Sequence, residues 1–525
     1  MVYKKFAVAI LATAVGACAQ LDSAPQSGSS SHTTPGAGEV ENSQVQDISQ
    51  NILSAAEPAL PPKDIWQRLR QGFSLDREIQ RPKVQDYVKY FSSNQGYMAR
   101  VTERSRRYIF HVAEQLDQAN VPLEFALLPI VESAYDPFAY SHAQASGMWQ
   151  FIPATGRSFG LDQNWWYDGR RDVVESTRAA SEYFNYLAAK FDNDWLLVLA
   201  AYNAGEGTVR RAIERNARSG KGTSFWDLKL PRETKRYVPQ LLALAEVVAH
   251  PERYQVPLHD VGNTPYYTAV NVGSQIDLAQ ASELAGIEIE ELYLLNPGYN
   301  RWATDPNGNH QLLIPSDKSA QFVEALGNLP ADKRVSWQRY TVARGDSLSV
   351  IARRYETTIA AIQQTNKLRG SSIRAGQTLL IPSASGPSAQ YAYSIDQRVQ
   401  RRQSSGKGQK TSYTVRPGDT LWGIARSMDV KVRELASWNN MAPGDTLRPG
   451  HKLVAYSGSG SQTEQSSRTT RKVSYRVRNG DSLYRIARKF SIDISDIVRW
   501  NKISKKGYLQ PGQRLTLFVD SASNG

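Results

Sequence analysis

Glu132 stands at the end of an almost unbroken apolar run, Leu127-Leu128-Pro129-Ile130-Val131, with no second acid beside it. If Val121 to Tyr135 is helical, Phe125, Leu128, Glu132 and Tyr135 share one face, so the carboxyl is expected among large apolar side chains. Burial raises a carboxyl's pKa, and a nearby helix C-terminus disfavours the anion further. An acid still protonated near neutral pH can give its proton to a leaving-group oxygen, as glycoside cleavage requires. A solvated surface charge, the usual reading of a helical glutamate, does not fit these neighbours. Hydrolysis usually needs two carboxylates, and Asp136, Asp162, Asp168 and Asp172 follow closely enough in sequence to leave a second acid open. Tyr135, Tyr140, Trp149, Phe151, Trp165 and Trp166 crowd the same stretch. Singly each fits a core; as a group they suit stacking on sugar rings. Ser133 is expected to support Glu132 rather than perform chemistry, and His142 to be a surface or loop residue. Glu233 fits either a cleft position or an ion pair with Arg232 or Lys235. No His/Cys/Asp cluster has metal-ligand spacing and no Gly-rich phosphate loop occurs, so neither metal nor cofactor is expected.

The elements that must hold these groups read as helices. Pro122 suits a first helical position, Asp136-Pro137 stops the helix, and Pro129 should kink or split it. Ile109, Val112, Ala113 and Leu116 recur at amphipathic spacing, as do Ala180, Phe184, Leu187, Ala188 and Phe191. Trp195 to Ala201 is apolar on nearly all sides, as in the middle of a domain, and Gly205 fits a C-cap. From about Gln50 to His250 nothing alternates like a strand, so this part is expected to be all-α, with an N-terminal helical segment over 50–105 and the main domain over 106–250.

The C-terminal part repeats. Tyr340-Thr-Val, Tyr413-Thr-Val and Tyr475-Arg-Val each lead into a Gly-Asp turn (Gly345-Asp346, Gly418-Asp419, Gly480-Asp481) and an apolar-faced helix. In every copy an asparagine follows the tyrosine by 26 positions: Asn366, Asn439 and Asn501. A glycine and a short apolar run close each copy. The pattern predicts βααβ modules over 338–382, 412–456 and 474–519. It resembles the LysM module, which binds N-acetylglucosamine-containing glycans, and that resemblance assigns the six turn residues to glycan binding. Setting Asn296 against Asn366 places Val270 on Tyr340, Leu278 on Leu348 and Ala281 on Ile351. Residues 264–315 are thus expected to be a degenerate LysM-like unit without the Gly-Asp turn, an unrelated small α+β unit being the alternative. The stretches Ser383 to about Lys410 and Ser457 to Lys472 read as linkers.

The 525-residue length requires several domains, and 41% hydrophobic with 22% charged residues is ordinary globular material. The net charge of +13 names no partner, because 63 basic residues are offset by 50 acidic ones. Lys4 and Lys5 precede an apolar stretch, Phe6 to Val15, too short to span a membrane and laid out like a secretory signal. Cys18 is the chain's one cysteine, so no intrachain disulfide forms. Val15-Gly16-Ala17-Cys18 resembles the bacterial lipobox, which implies a signal peptide over 1–17 and lipidation of Cys18; a plain signal peptide is the alternative. Ala19 in place of aspartate would then direct the chain to the outer membrane, facing the periplasm. Residues 18–49 read as a disordered tether.

Glu132-Ser133 after the apolar run, Gly147-Met148-Trp149-Gln150-Phe151, Ala201-Tyr202-Asn203-Ala204-Gly205 and Arg232 to Val238 resemble, in order, the motifs of family 1 lytic transglycosylases over roughly Leu123 to Val247. The resemblance implies a multidomain chain, an all-α, goose-type-lysozyme-like catalytic domain followed by small α+β (βααβ) LysM modules. It implies cleavage of the MurNAc-GlcNAc bond of peptidoglycan with 1,6-anhydro ends, Glu132 being the sole acid and base. It further implies that Ser141 orients the glycan and that Gln150, Tyr202, Asn203 and Tyr237 line the cleft. The family often has Gly-Leu-Met-Gln where this chain has Gly147-Met148-Trp149-Gln150, which leaves the role of Trp149 open. The partners so implied are glycan strands and, through Cys18, a membrane, with no nucleic acid and a monomeric chain. A muramidase on the same scaffold and a non-catalytic wall-anchoring protein remain the rival readings.

Overall fold

The computed structural model describes residues 62–520 other than 142, 356, 448, 458–469, 479–480, 484–485, 488–493, 502, 504–508 and 511. The expectations for 1–49, Cys18 included, and for the start of the 50–105 segment lie outside the described residues, as do those for His142 and Gly480.

Residues 62 to 250 fold as helices, and among the described residues there only isolated bridges occur, no strand. Asp64 caps Ile65–Gln71 through the Gln67 N–H, and Pro82 opens Pro82–Ser93 at the position where a missing N–H costs nothing. Ile109–Gln118 turns Ile109, Val112, Ala113 and Leu116 inward, and Val173–Lys190 does the same with Ala180, Phe184, Leu187 and Ala188. Trp195–Ala204 runs through the middle of the domain and ends at Gly205, whose φ of 82° favours glycine. The helices Pro82–Ser93 and Gln95–Ser105 are not an appendage. Their Phe91 and Met98 share one core with Phe125, Phe184 and Leu241, and Pro82–Ser93 lies against Thr234–Ala249.

Beyond residue 250 the described residues form four antiparallel strand pairs: Tyr267–Asn271 with Gln311–Pro315, Ser336–Thr341 with Thr378–Ser383, Gln409–Thr414 with Lys452–Ser457, and Thr470–Arg476 with Arg514–Asp520. Each of the first three pairs encloses two short helices. The recurrent asparagine explains itself in this arrangement. Asn366 Nδ2 donates to the Ile362 and Leu380 carbonyls while its Oδ1 accepts from the Leu380 N–H, tying the second helix to the closing strand. Asn439 makes the same set of bonds with Leu435 and Val454, and Asn501 with Ile497 and Thr516. Asn296 makes it with Leu292 and Leu313. A side-chain amide supplies both donor and acceptor at one point, which few other residue types can do.

The stretch from Ser383 to Lys410, expected to be a linker, is built instead. Ser394 caps a helix, Ile395–Ser404. Tyr391 is buried, with its hydroxyl on Asp277, and the Ile395 N–H donates to the Asn300 carbonyl at 2.8 Å. Arg301 pairs with Asp396, and Tyr393 stacks on Phe138 of the helical domain with ring centres 5.1 Å apart. Its polar composition conceals three aromatic or capping anchors, enough to order a segment that small and polar residues alone would leave free.

Candidate active site

Pro129 divides the expected helix in two. Leu123–Leu127 is a 3-10 turn, and Leu128–Ser133 is a six-residue helix with Pro129 in its first turn, where no N–H is required of it. Glu132 lies in the last turn of that helix. Ala134 and Tyr135 then take left-handed backbone, each with φ of 54°, so Tyr135 does not continue the helical face as expected. It turns into the core, where its hydroxyl donates to the Ala126 carbonyl at 2.7 Å and its ring stacks on Tyr108.

Glu132 is half-buried, and its Oε1 accepts from the Tyr237 hydroxyl at 2.5 Å. Burial pushes its carboxyl up to about 7; the Tyr237 bond works against that shift and the charge of Glu233 adds to it. Glu233 is exposed at the start of Thr234–Ala249, the helix that brings Tyr237 to Glu132. Burial holds the Tyr237 and Tyr202 phenols well above their ordinary range, with the Glu132 charge the next cause for both. Both phenols therefore remain hydrogen-bond donors.

Tyr237 bonds this acid directly, and the other expected residues are held by contacts of their own. Tyr202 donates to the Trp149 carbonyl at 2.6 Å, and Asn203 accepts from Thr234 at 2.7 Å. Gln150, with φ of 52°, folds its amide back to the Gly147 carbonyl at 2.7 Å. Ser133 Oγ lies 3.0 Å from the Met148 carbonyl and 3.1 Å from that of Pro129, which joins the acid's helix to the Gly147–Gln150 turn. Ser141 Oγ accepts from the N–H groups of Ala143 and Ala145, so it shapes the hairpin that carries it.

Three of the remaining candidate acids have other partners. Asp136 accepts from the Phe138 N–H, Asp172 caps Val173–Lys190, and Asp168 is paired with Arg170 and Arg171, which hold its carboxyl down against the opposing effect of burial. Asp162 lines a cavity of about 400 Å³ with Trp165 and Tyr299. The expected aromatic platform is largely core: Tyr135, Trp149, Phe151 and Trp166 are buried, and Trp149 Nε1 donates to Thr177 at 3.1 Å. Tyr140 and Trp165 remain half-exposed, the latter with the Arg301 guanidinium 3.8 Å above its ring. Among the described residues no group of three or more His, Cys, Asp or Glu is placed to hold a metal ion.

One supporting group was not singled out from the sequence. Arg170 donates to the carbonyls of Gln144 and Phe151, and its backbone passes so close to Gly147 that a Cβ there would lie 2.0 Å from the Arg170 oxygen. Gly147, at φ of 83°, is required on both counts. The signal for this group was the Asp168-Gly169-Arg170-Arg171 run itself, whose charges match the buried pairs they form.

In the repeats, the turn aspartates face inward. Asp346 takes the Tyr340 hydroxyl at 2.5 Å and the Ala343 N–H at 2.8 Å; Asp419 takes Tyr413 and Arg416, and Asp481 takes Tyr475 and Arg478, in the same way. Their carboxylates brace the turn. Gly345 and Gly418 hold positive φ beside them with open space around the missing side chain.

Comparison with known proteins agrees with this layout. The family model described as "Transglycosylase SLT domain" matches residues 110–225, and that described as "Lytic transglycosylase MltD, LysM-like domain" matches 266–331. "LysM domain" matches 340–382, 413–455 and 475–518. A putative tributyltin chloride resistance protein of Alteromonas sp. (strain M-1) is 35% identical over 30% of this chain and 77% of its own length. The solved 70 kDa soluble lytic transglycosylase of Escherichia coli covers 36% of this chain and 33% of its own, at 20% identity and a TM-score of 0.23. The membrane-bound lytic murein transglycosylase D of Escherichia coli (strain K12) is 36% identical over 87% of this chain and 86% of its own length. With that identity sustained from the helical domain through the repeats, the chain belongs to the membrane-bound lytic murein transglycosylase D family.

Proposed function

We propose that this chain cleaves the MurNAc-GlcNAc bond of peptidoglycan and leaves 1,6-anhydro-MurNAc ends, with its repeats holding it on the wall. The observation that carries the reading is Glu132: a half-buried carboxyl raised to about 7, bonded to a phenol and not to a second acid. Near neutral pH such a group is protonated in a large fraction of molecules and can give its proton to the glycosidic oxygen. The substrate's own acetamido group stabilises the cation that develops at C1. Glu132, now a carboxylate that still accepts from Tyr237, takes the proton of the C6 hydroxyl on the same muramoyl residue. That oxygen closes on C1, and the proton gained equals the proton lost, so no water is consumed. Ser141, Gln150, Tyr202 and Asn203 are assigned to the cleft around the strand, and the turns at Gly345, Gly418 and Gly480 to contacts with N-acetylglucosamine.

The domain limits that go with this reading are 106–250 for the catalytic unit, 264–315 for the LysM-like unit, and 338–382, 412–456 and 474–519 for the repeats. The lipobox-like Val15 to Cys18 supports a lipid anchor in the outer membrane facing the periplasm, and no helix among the described residues is long and apolar enough to cross a membrane. The chain acts as a monomer. Product masses from purified sacculi test the chemistry: anhydro ends lacking one water are expected, and Glu132→Gln should lower their formation by about 1,000-fold or more. Reducing muramoyl ends would assign the chain to the muramidases, and no cleavage at all to the wall anchors.

A further inference from the structure

The second repeat does not hang free of the catalytic domain. Its Asp445 takes the Tyr140 hydroxyl at 3.0 and 3.1 Å and the Gln144 amide at 2.5 Å, both from the helical domain some 300 residues earlier. The same carboxylate accepts from the Ala442 N–H at 2.8 Å, so it is fixed in its own loop as well. Tyr140 and Gln144 flank Ser141 on the short hairpin that bridges Tyr140 to Ser146 and leads into Gly147 and Gln150. The acid is peculiar to this repeat. Six residues after the recurrent asparagine, the first repeat has Ser372, the second Asp445 and the third Gly507.

A second set of contacts fixes the same repeat independently. The helix Ile395–Ser404 sits with Arg398 over Phe138 at 4.9 Å, and at its far end Gln403 donates to Asn439 at 2.9 Å while its carbonyl takes the Tyr456 hydroxyl at 2.6 Å. Ser385 and Tyr391 secure the start of this connector on Asp277. The connector thus leaves the first repeat, docks on Asp277 of the LysM-like unit and passes Phe138 beside the acid's own loop into the second repeat. A flexible tether would only raise the repeat's effective concentration near the cleft; a docked one also fixes its distance and direction from Glu132.

We propose that the second repeat is a built-in wall of the substrate cleft, latched by Asp445 to the Ser141 hairpin, so that a glycan strand held on the repeat enters the cleft in fixed register. Asp445 is then a positioning residue, and its effect is confined to substrates long enough to reach both sites. This rests on the transglycosylase reading of Glu132.

The test compares full-length wild type, Asp445→Ala and Asp445→Asn on purified sacculi and on a peptidoglycan tetrasaccharide too short to span repeat and cleft. Loss of the latch should raise KM on sacculi by about tenfold with kcat little changed, because binding in register is lost and chemistry is not. On the tetrasaccharide kcat/KM should stay within about twofold. Asp445→Asn keeps an acceptor for Gln144 and should recover part of the effect. In a Tyr140→Phe background, Asp445→Ala should cost less than it does alone, as for partners in one contact. Equal KM on sacculi for wild type and Asp445→Ala would overturn the proposal. So would equal losses on both substrates, which would mark general damage to the hairpin, or faster cleavage of the tetrasaccharide, which would mark the contact as a brake. Absence of anhydro products from wild type would instead sink the reading of Glu132 on which the proposal stands.

Discussion

Replacing Glu132 by glutamine should stabilise the protein, and by an amount that depends on pH. Glutamine keeps the oxygen that accepts from Tyr237 and removes the titration. In the wild type the folded carboxyl holds its proton up to about 7, against an ordinary value of 4.5. Between those values the unfolded chain releases the proton and the folded chain does not, so rising pH favours the unfolded state. Below 4.5 both states are protonated, and above 7 both are ionised, so the cost grows only across that window and then stays level. A shift of that size corresponds to about 3 kcal/mol; water at this half-buried position brings the expectation to about 1–3 kcal/mol. For a domain of this size, that is a rise in Tm of about 2–12 °C for Glu132→Gln over wild type at pH 8, shrinking towards zero at pH 4.5. Scanning calorimetry of the two full-length proteins at pH 4.5, 6 and 8, following the helical-domain transition, measures it. A Tm difference that is the same at all three pH values would refute the claim that burial raises this carboxyl. The argument for Glu132 as the proton donor would fall with it. The stability lost by keeping an acid here is what a site held for chemistry would show.

The bond from Tyr237 lowers the Glu132 pKa, so Tyr237→Phe should move the alkaline limb of the kcat/KM profile upward by about one pH unit and lower kcat. An unmoved or downshifted limb would show that the phenol does not act on the acid. Asn439→Ala leaves the Leu435 and Val454 carbonyls and the Val454 N–H without a partner inside the second repeat. It should destabilise that repeat by about 2–4 kcal/mol in urea unfolding, and a loss below about 0.5 kcal/mol would contradict the role given to this asparagine. Cys18→Ser should move the protein from the membrane fraction to the soluble one after cell lysis; unchanged membrane retention would argue against lipidation.

The helical character of residues 62–250 and the βααβ repeats were legible because periodicity records which side of an element faces a core. The helical faces at Ile109 to Leu116 and Ala180 to Phe191 came from that signal, and the repeats from their shared motif. Glu132 was legible as well, because a carboxylate following five apolar residues conflicts with its surroundings whatever the fold. Glu124, eight residues earlier, is fully buried and accepts from the Leu75 N–H at 2.7 Å. That glutamate serves the backbone of a distant segment, and only the folded chain shows that Glu132 keeps an edge towards solvent.

Whatever depends on which parts of the chain meet was decided by tertiary structure alone. The aromatic residues near Glu132 have the composition of a sugar platform, yet packing consumes Tyr135, Trp149, Phe151 and Trp166 as core. The polar stretch 383–410 has the composition of a linker, yet Tyr391, Tyr393 and Ser394 find partners that hold it. Asp445 reads as an ordinary loop acid until Tyr140 and Gln144 arrive beside it. Local sequence fixes secondary structure and burial preference through interactions over a few residues. Contacts spanning 100 to 300 residues are set by how complete elements pack, and no short window of the chain encodes them.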